Sequence, residues 1–240
     1  MKENTLTSKK LWSTLLAPSV LFLIVTIAVS VYYGIITRGD AAAIAEKTPQ
    51  AVPYILVITL GLSFLILLKT MRSNNITFHE IGWQLNEGQT WVKEALLGVL
   101  VGAPLGVLYI YVLSPLLTTV QRAVGDYVPP EEILSSLGSS VLPFFIANVL
   151  LAPIIEENIF RGFALSQFGK RFSSPVTFVL SCLVFGLFHW AGGFWYIVLV
   201  GTVAGGVFAG LYMWRRNIVS AFAAHLALNI VEFLFIWLVL

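Results

Sequence analysis

Seven apolar runs, each close to the length of a bilayer crossing, divide the 240 residues and constrain this chain more than any other feature. A helix rises about 1.5 Å per residue, so roughly 20 mostly apolar residues cross some 30 Å of hydrocarbon. The runs at 13–36, 52–71, 95–117, 141–169, 174–190, 194–214 and 218–240 approach that length, the fifth being the shortest. Composition agrees: 58% of residues are hydrophobic and 11% charged, with a mean hydropathy of +0.89. A soluble domain carries roughly a quarter charged residues. The expected fold class is therefore all-α, a polytopic membrane protein with about seven transmembrane helices in one bundle, forming a single membrane domain over 1–240.

The first apolar run, 11–36, follows Lys9 and Lys10 and has small residues beyond it, as a secretory leader would. It is far longer than the roughly 7 to 15 residues of a leader's apolar core, and it reads as a retained first span. The net charge of +2 is spread over short basic clusters between spans, which excludes a nucleic-acid-binding face. The single cysteine, Cys182, lies within an apolar run, so no intrachain disulfide holds the fold. With the amino terminus in the cytosol, ten Lys and Arg residues, from Lys2 to Arg216, fall on the inner side. Three fall outside: Arg38, Lys47 and Arg122. That bias follows the positive-inside rule and puts the carboxyl terminus outside. The longest polar connection, 72–94, is expected at the membrane surface, with His79 solvated.

A charged side chain at the centre of a bilayer costs on the order of 3 kcal/mol, so each one needs a reason. The fourth run holds three of them: Glu156, Glu157 and Arg161. Glu157 and Arg161 stand four residues apart in acid-before-base order and are expected to pair as a structural ion pair. Glu156 points about 100° away around the helix and has no partner in its own segment. His189 ends the fifth run, and His225 and Asn229 share a face of the seventh, again four residues apart. Counting residues from the inner ends, Glu156 and His189 lie roughly 20 Å deep and His225 about 12 Å.

A glutamate, two histidines and an asparagine on three helices suit hydrolysis. A desolvated carboxylate acts as general base near neutral pH, with one histidine orienting the same water. The second histidine and the amide would donate to the oxyanion of a tetrahedral intermediate. Alternatively Glu156, His189 and His225 make a two-histidine, one-carboxylate ligand set for a divalent metal such as zinc, with a position left for water. The residues alone leave a metal and a metal-free glutamate mechanism equally open. The usual zinc-protease string, two histidines flanking a glutamate on one helix, is absent.

Glu156/Glu157/Arg161, then Phe185/His189, then His225/Asn229, in that order, resemble the CAAX prenyl-protease and bacteriocin-processing (CPBP, or Abi) family of intramembrane endopeptidases. The resemblance covers about 143–232, and the segment 76–97 is similar to the family's surface segment. It implies a multi-pass peptidase, metallo- or glutamate-dependent, cleaving a peptide or protein presented at the membrane, with the bilayer as its other partner. The compact chain suits a bacterial plasma-membrane member of the family. Two other classes compete: a scaffold or bacteriocin-immunity protein whose polar residues only hold helices together, and a transporter using the same groups as a proton relay.

Three further features invite interpretation. Glu232, seven residues after His225, falls on the same helix stripe, and Asn148 lies outward of Glu156; Glu232 reads first as a helix contact or a reach to the outer headgroups, and alternatively the two residues line a hydrated path to the site. Gly201, Gly205, Gly206 and Gly210 predict close helix contact along the sixth span. Trp190, Trp195, Trp214 and Trp237 are expected at the interfaces.

Overall fold

The computed structural model describes residues 6–128 and 136–239; Lys2 and Leu240, counted above, lie outside them. The described residues form seven helices and no strand: α1 (Ser8–Ile36), α2 (Ala41–Ser73), α3 (Trp91–Val124), α4 (Gly138–Gly169), α5 (Ser174–Phe188), α6 (Phe194–Arg215) and α7 (Val219–Val239). Six are long and apolar enough to cross a membrane, and α5, with 15 residues, is shorter. The chain is thus an all-helical, multi-pass membrane bundle.

Side-chain pairs fix the helix directions. Lys10 Nζ donates to Asn74 at 3.1 Å, so α1 starts where α2 ends, and Arg171 reaches Ser8 at 3.3 Å, which brings the end of α4 to the same face. Arg215, ending α6, grips Glu94, near the start of α3. The helices therefore alternate in direction, and α3 runs parallel to α7.

That parallel pair is the closest packed in the bundle. Gly98, Gly102 and Gly106 recur every four residues along one face of α3. A Cβ on Gly98 or Gly102 would collide with the α7 backbone at Ser220 and Ala224, and one on Gly106 would press on Val231 at 3.0 Å. Small residues at this spacing let two helix backbones touch. Gly186 and Gly201 do the same for α5 and α6, where a Cβ on Gly201 would meet Cys182 O at 2.7 Å. Of the glycines expected to make contacts on α6, Gly201 and Gly205 do so, Gly206 only loosely, and Gly210 faces open space.

Helix ends follow from local chemistry. Asp40 caps α2 by accepting from Ala42 N and Ala43 N, which starts that helix well before the apolar run at 52. Gly125, at φ 71°, closes α3 in the left-handed conformation. Two prolines mark where the helices widen. Pro115 lies two residues beyond the π-helical stretch Tyr109–Leu113, and Pro153 two beyond Phe145–Leu151. A proline lacks the N–H and crowds the carbonyl four residues back, and a wider turn relieves both.

The connection between α2 and α3 is docked, not loose. Ile81 is fully buried, Ile218 N donates to Gly82 O at 2.9 Å, and Trp83 Nε1 donates to Asn158 at 2.8 Å. His79 is exposed, as expected. The core lies around α4, where Glu157 through Leu165 are buried without a break.

Candidate active site

Four of the expected residues come from α4, the end of α5 and α7: Glu156 and His189 sit where a helix changes type or ends, and His225 and Asn229 sit within the regular α7. In α4 the α-helical turn Ala152–Glu156 gives way at Glu157 to the π-helical stretch Glu157–Leu165. The two adjacent glutamates therefore straddle a change of helix type.

Glu157 is fully buried, and its Oε1 carries two partners: Arg161 at 3.0 Å and His225 Nδ1 at 2.9 Å. Arg161, also fully buried, donates from Nη2 to Gly205 O at 3.2 Å. Its guanidinium lies 3.8 Å from the Phe185 ring centroid and 5.2 Å from that of Phe208. A cation over aromatic faces offsets part of the cost of its burial. Glu157 Oε2 and Arg161 Nε have no hydrogen-bond partner among the described residues.

His225 is held on both sides. Glu157 accepts its Nδ1 proton, and its ring stacks on Phe208 at 4.7 Å with an interplanar angle of 19°. His189 follows the last turn of α5, where its Nδ1 meets the carbonyl of Phe185 at 2.9 Å. A carbonyl only accepts, so that nitrogen carries the proton, and Nε2 of the neutral ring keeps a lone pair. The same argument applies to His225 against an ionised Glu157. In both histidines Nε2 is left out of these bonds.

Glu156 is 5% exposed, and its Oε2 has no partner among the described residues. It lies within electrostatic range of Glu157 and Arg161, and His189 lies within range of His225 and Arg161. The structure therefore gathers Glu156, Glu157, Arg161, His189 and His225 into one cluster. Asn229 joins it obliquely, donating one amide N–H at 2.9 Å to the carbonyl of Asn148 in the π-helical part of α4. Glu232 is half-buried one turn beyond, near Tyr109 and Tyr196.

Residues 138–231 match the family described as Rce1-like, type II CAAX prenyl endopeptidase. The matched segment runs from the start of α4 into α7. It contains every residue of the motifs that carried the resemblance and leaves out Glu232 and helices α1 to α3. The Rce1-like family is, by its description, one of endopeptidases, in keeping with a cluster of carboxylate and imidazoles inside a membrane bundle. No curated protein and no solved structure matches the chain significantly.

Within the matched segment, the ligand set considered for zinc does not close. Among the described residues no three His, Cys, Asp or Glu side chains form a group able to hold a metal ion. As arranged, Glu156, His189 and His225 do not fit one.

Two features of the Rce1-like segment escape the sequence. The Glu157–His225 contact joins residues 68 apart, and four-residue spacing assigns Glu157 to Arg161 alone. Tyr196 packs beside His189 with ring centroids 6.2 Å apart, yet in the string Phe194-Trp195-Tyr196 it reads as one more interfacial aromatic.

Proposed function

We propose that this chain is an intramembrane endopeptidase that hydrolyses a peptide bond of a peptide or protein presented at the membrane. What carries the reading is the contrast between two neighbouring carboxylates: each keeps a buried Oε2 without a partner, but Glu157 is committed through Oε1 to Arg161 and His225, whereas Glu156 is bonded to neither a cation nor an imidazole among the described residues. A carboxylate with no bonded counter-ion is free to take a proton from water. Glu156 takes a proton from water, which adds to the carbonyl carbon, and His189 orients that water through Nε2. His225, when doubly protonated, and the second N–H of Asn229 stabilise the tetrahedral intermediate. Glu157 and Arg161 keep His225 in place.

The catalytic core spans about 143–232 of one membrane domain. Asn148 and Glu232 extend polar character from it and line a hydrated approach. The ten-to-three charge bias supports an amino terminus in the cytosol and a carboxyl terminus outside.

The decisive experiment is turnover of a fluorogenic peptide by purified protein, wild-type against Glu156→Gln. Gln preserves size and hydrogen bonding but removes the base, so cleavage should fall at least a thousandfold, on the order of losing both base and orientation. A chelator should leave wild-type turnover unchanged, since the ligand set does not converge. Turnover by Glu156→Gln at the wild-type rate would sink the reading.

A further inference from the structure

The donors around Glu156 meet one requirement only in part. Addition of water to a peptide carbonyl places negative charge on its oxygen, and hydrolases meet that charge with donors already in position. His225 and His189 have their Nδ1 protons committed to Glu157 and to Phe185 O, so each neutral ring presents a lone pair at Nε2. Asn229 has spent one N–H on Asn148 O. Beyond the second N–H of Asn229, and His225 when doubly protonated, the cluster is rich in bases and short of hydrogen-bond donors.

Tyr196 stands beside that gap. It belongs to the first turn of α6, its ring lies 6.2 Å from the His189 ring at 56°, and its phenol is within electrostatic range of Glu156. It is also within range of Tyr109 and Glu232. The ring is pinned where it stands. A Cβ on Gly192 would collide with Tyr196, so the ring occupies the place a side chain would take. The loop carrying Gly192 is in turn clasped from the end of α3: Gln121 Nε2 donates to Gly192 O at 2.7 Å, and Asp126 accepts from Trp195 N at 2.9 Å.

We infer that Tyr196 is a further catalytic residue of this site, its O–H donating to the oxyanion of the tetrahedral intermediate, with Tyr109 and Glu232 as positioning residues for the phenol. The assignment rests on the peptidase reading. Tyr196 keeps its proton throughout. Water oxygen bonds to the carbonyl carbon, the π pair moves to the oxygen facing Tyr196, and Glu156 holds the water's proton. When the pair returns, the C–N bond breaks and that proton leaves with the amine. A phenol that accepts from a second hydroxyl is a stronger donor, which is the part Tyr109 plays.

The test is Tyr196→Phe, which keeps the ring against Gly192 and His189 and removes only the hydroxyl. Loss of one oxyanion donor costs on the order of a hundredfold or more in kcat. That loss should appear with KM changed less than threefold and an unaltered thermal midpoint. A peptide phosphinate, mimicking the tetrahedral oxygen, should bind Tyr196→Phe about a hundredfold more weakly, while the matching amide binds both proteins alike. Tyr109→Phe should show the same kcat pattern, smaller. If wild-type cleaves, Glu156→Gln does not, and Tyr196→Phe matches wild-type, the peptidase reading stands and the Tyr196 assignment falls. Equal weakening toward phosphinate and amide, or a lowered midpoint, makes Tyr196 a packing residue and overturns it. A wild-type protein that cleaves nothing removes the peptidase reading first, and Tyr196 with it.

Discussion

Among the described residues, the arginine–carboxylate pair at the face where α1 begins and the one in the interior are built differently. At the face, both Glu94 oxygens are taken: Arg215 reaches them at 2.9 and 2.5 Å, and Asn217 adds a third bond at 3.1 Å. Arg215 is 27% exposed and can turn to water if its partner is lost. In the interior, Glu157 and Arg161 share a single contact, each keeps an unpartnered atom, and Glu157 gives the rest of its bonding to a histidine. The first pair is saturated and fastens the α6–α7 turn to α3. The second accepts incomplete pairing in exchange for orienting an imidazole. Bidentate geometry marks an architectural pair, whereas a carboxylate shared between a cation and a ring points to chemistry.

Glu157→Gln puts the most pressure on that comparison. Removing one member of a buried pair leaves an uncompensated charge and costs about 3 to 5 kcal/mol. Thermal unfolding in detergent should show that loss, and peptide turnover should vanish because His225 is released. Glu94→Gln should cost less, about 1.5 to 3 kcal/mol for bonds to a charged group, with turnover unchanged. If Glu94→Gln proved as damaging as Glu157→Gln, or stopped catalysis, the two pairs would not differ in kind.

The smallest effect is expected at Asp126, on the opposite face. Its carboxyl is held below the usual carboxylate range, first by the backbone N–H of Trp195 and then by that of Tyr127. A depressed carboxylate contributes stability that is complete above its unfolded pKa of about 3.9 and is lost as pH falls through the lower, folded value. Unfolding midpoints should therefore hold steady from pH 8 to 5 and decline only below about pH 4. Asp126→Asn should flatten that acid decline. A decline already under way at pH 6 in wild-type, and absent from Asp126→Asn, would contradict the sign.

The spans were legible because hydropathy and length are local properties. The first six apolar runs lie inside helices α1 to α6, apart from the last two residues of the fifth, and the described part of the seventh overlaps α7. What escaped depends on how helices meet. Gly98, Gly102 and Gly106 are spaced as visibly as the α6 glycines, but nothing local says that α7 lies against them. The widened turns before Pro115 and Pro153 follow a physical rule that a plain helical count ignores. Depth counting set His225 shallower than Glu156, since it takes every residue to rise by the same amount, and a π-helical stretch does not. At the site, intramembrane charge singled out Glu156, whereas Tyr196 carries no charge and could be found only in three dimensions.

The shortness of α5 has a consequence for the lipid. Its 15 residues rise about 22 Å, against some 30 Å of hydrocarbon. His189 stands at the end of that helix, so on this flank the bilayer must thin or its headgroups must dip to meet the protein. How wet the imidazole becomes is then set partly by acyl-chain length. A thin membrane brings interfacial water to His189, and a thick, sterol-rich one lays several ångströms of hydrocarbon over it. The solvent of this site is in that sense a property of the host membrane as much as of the fold.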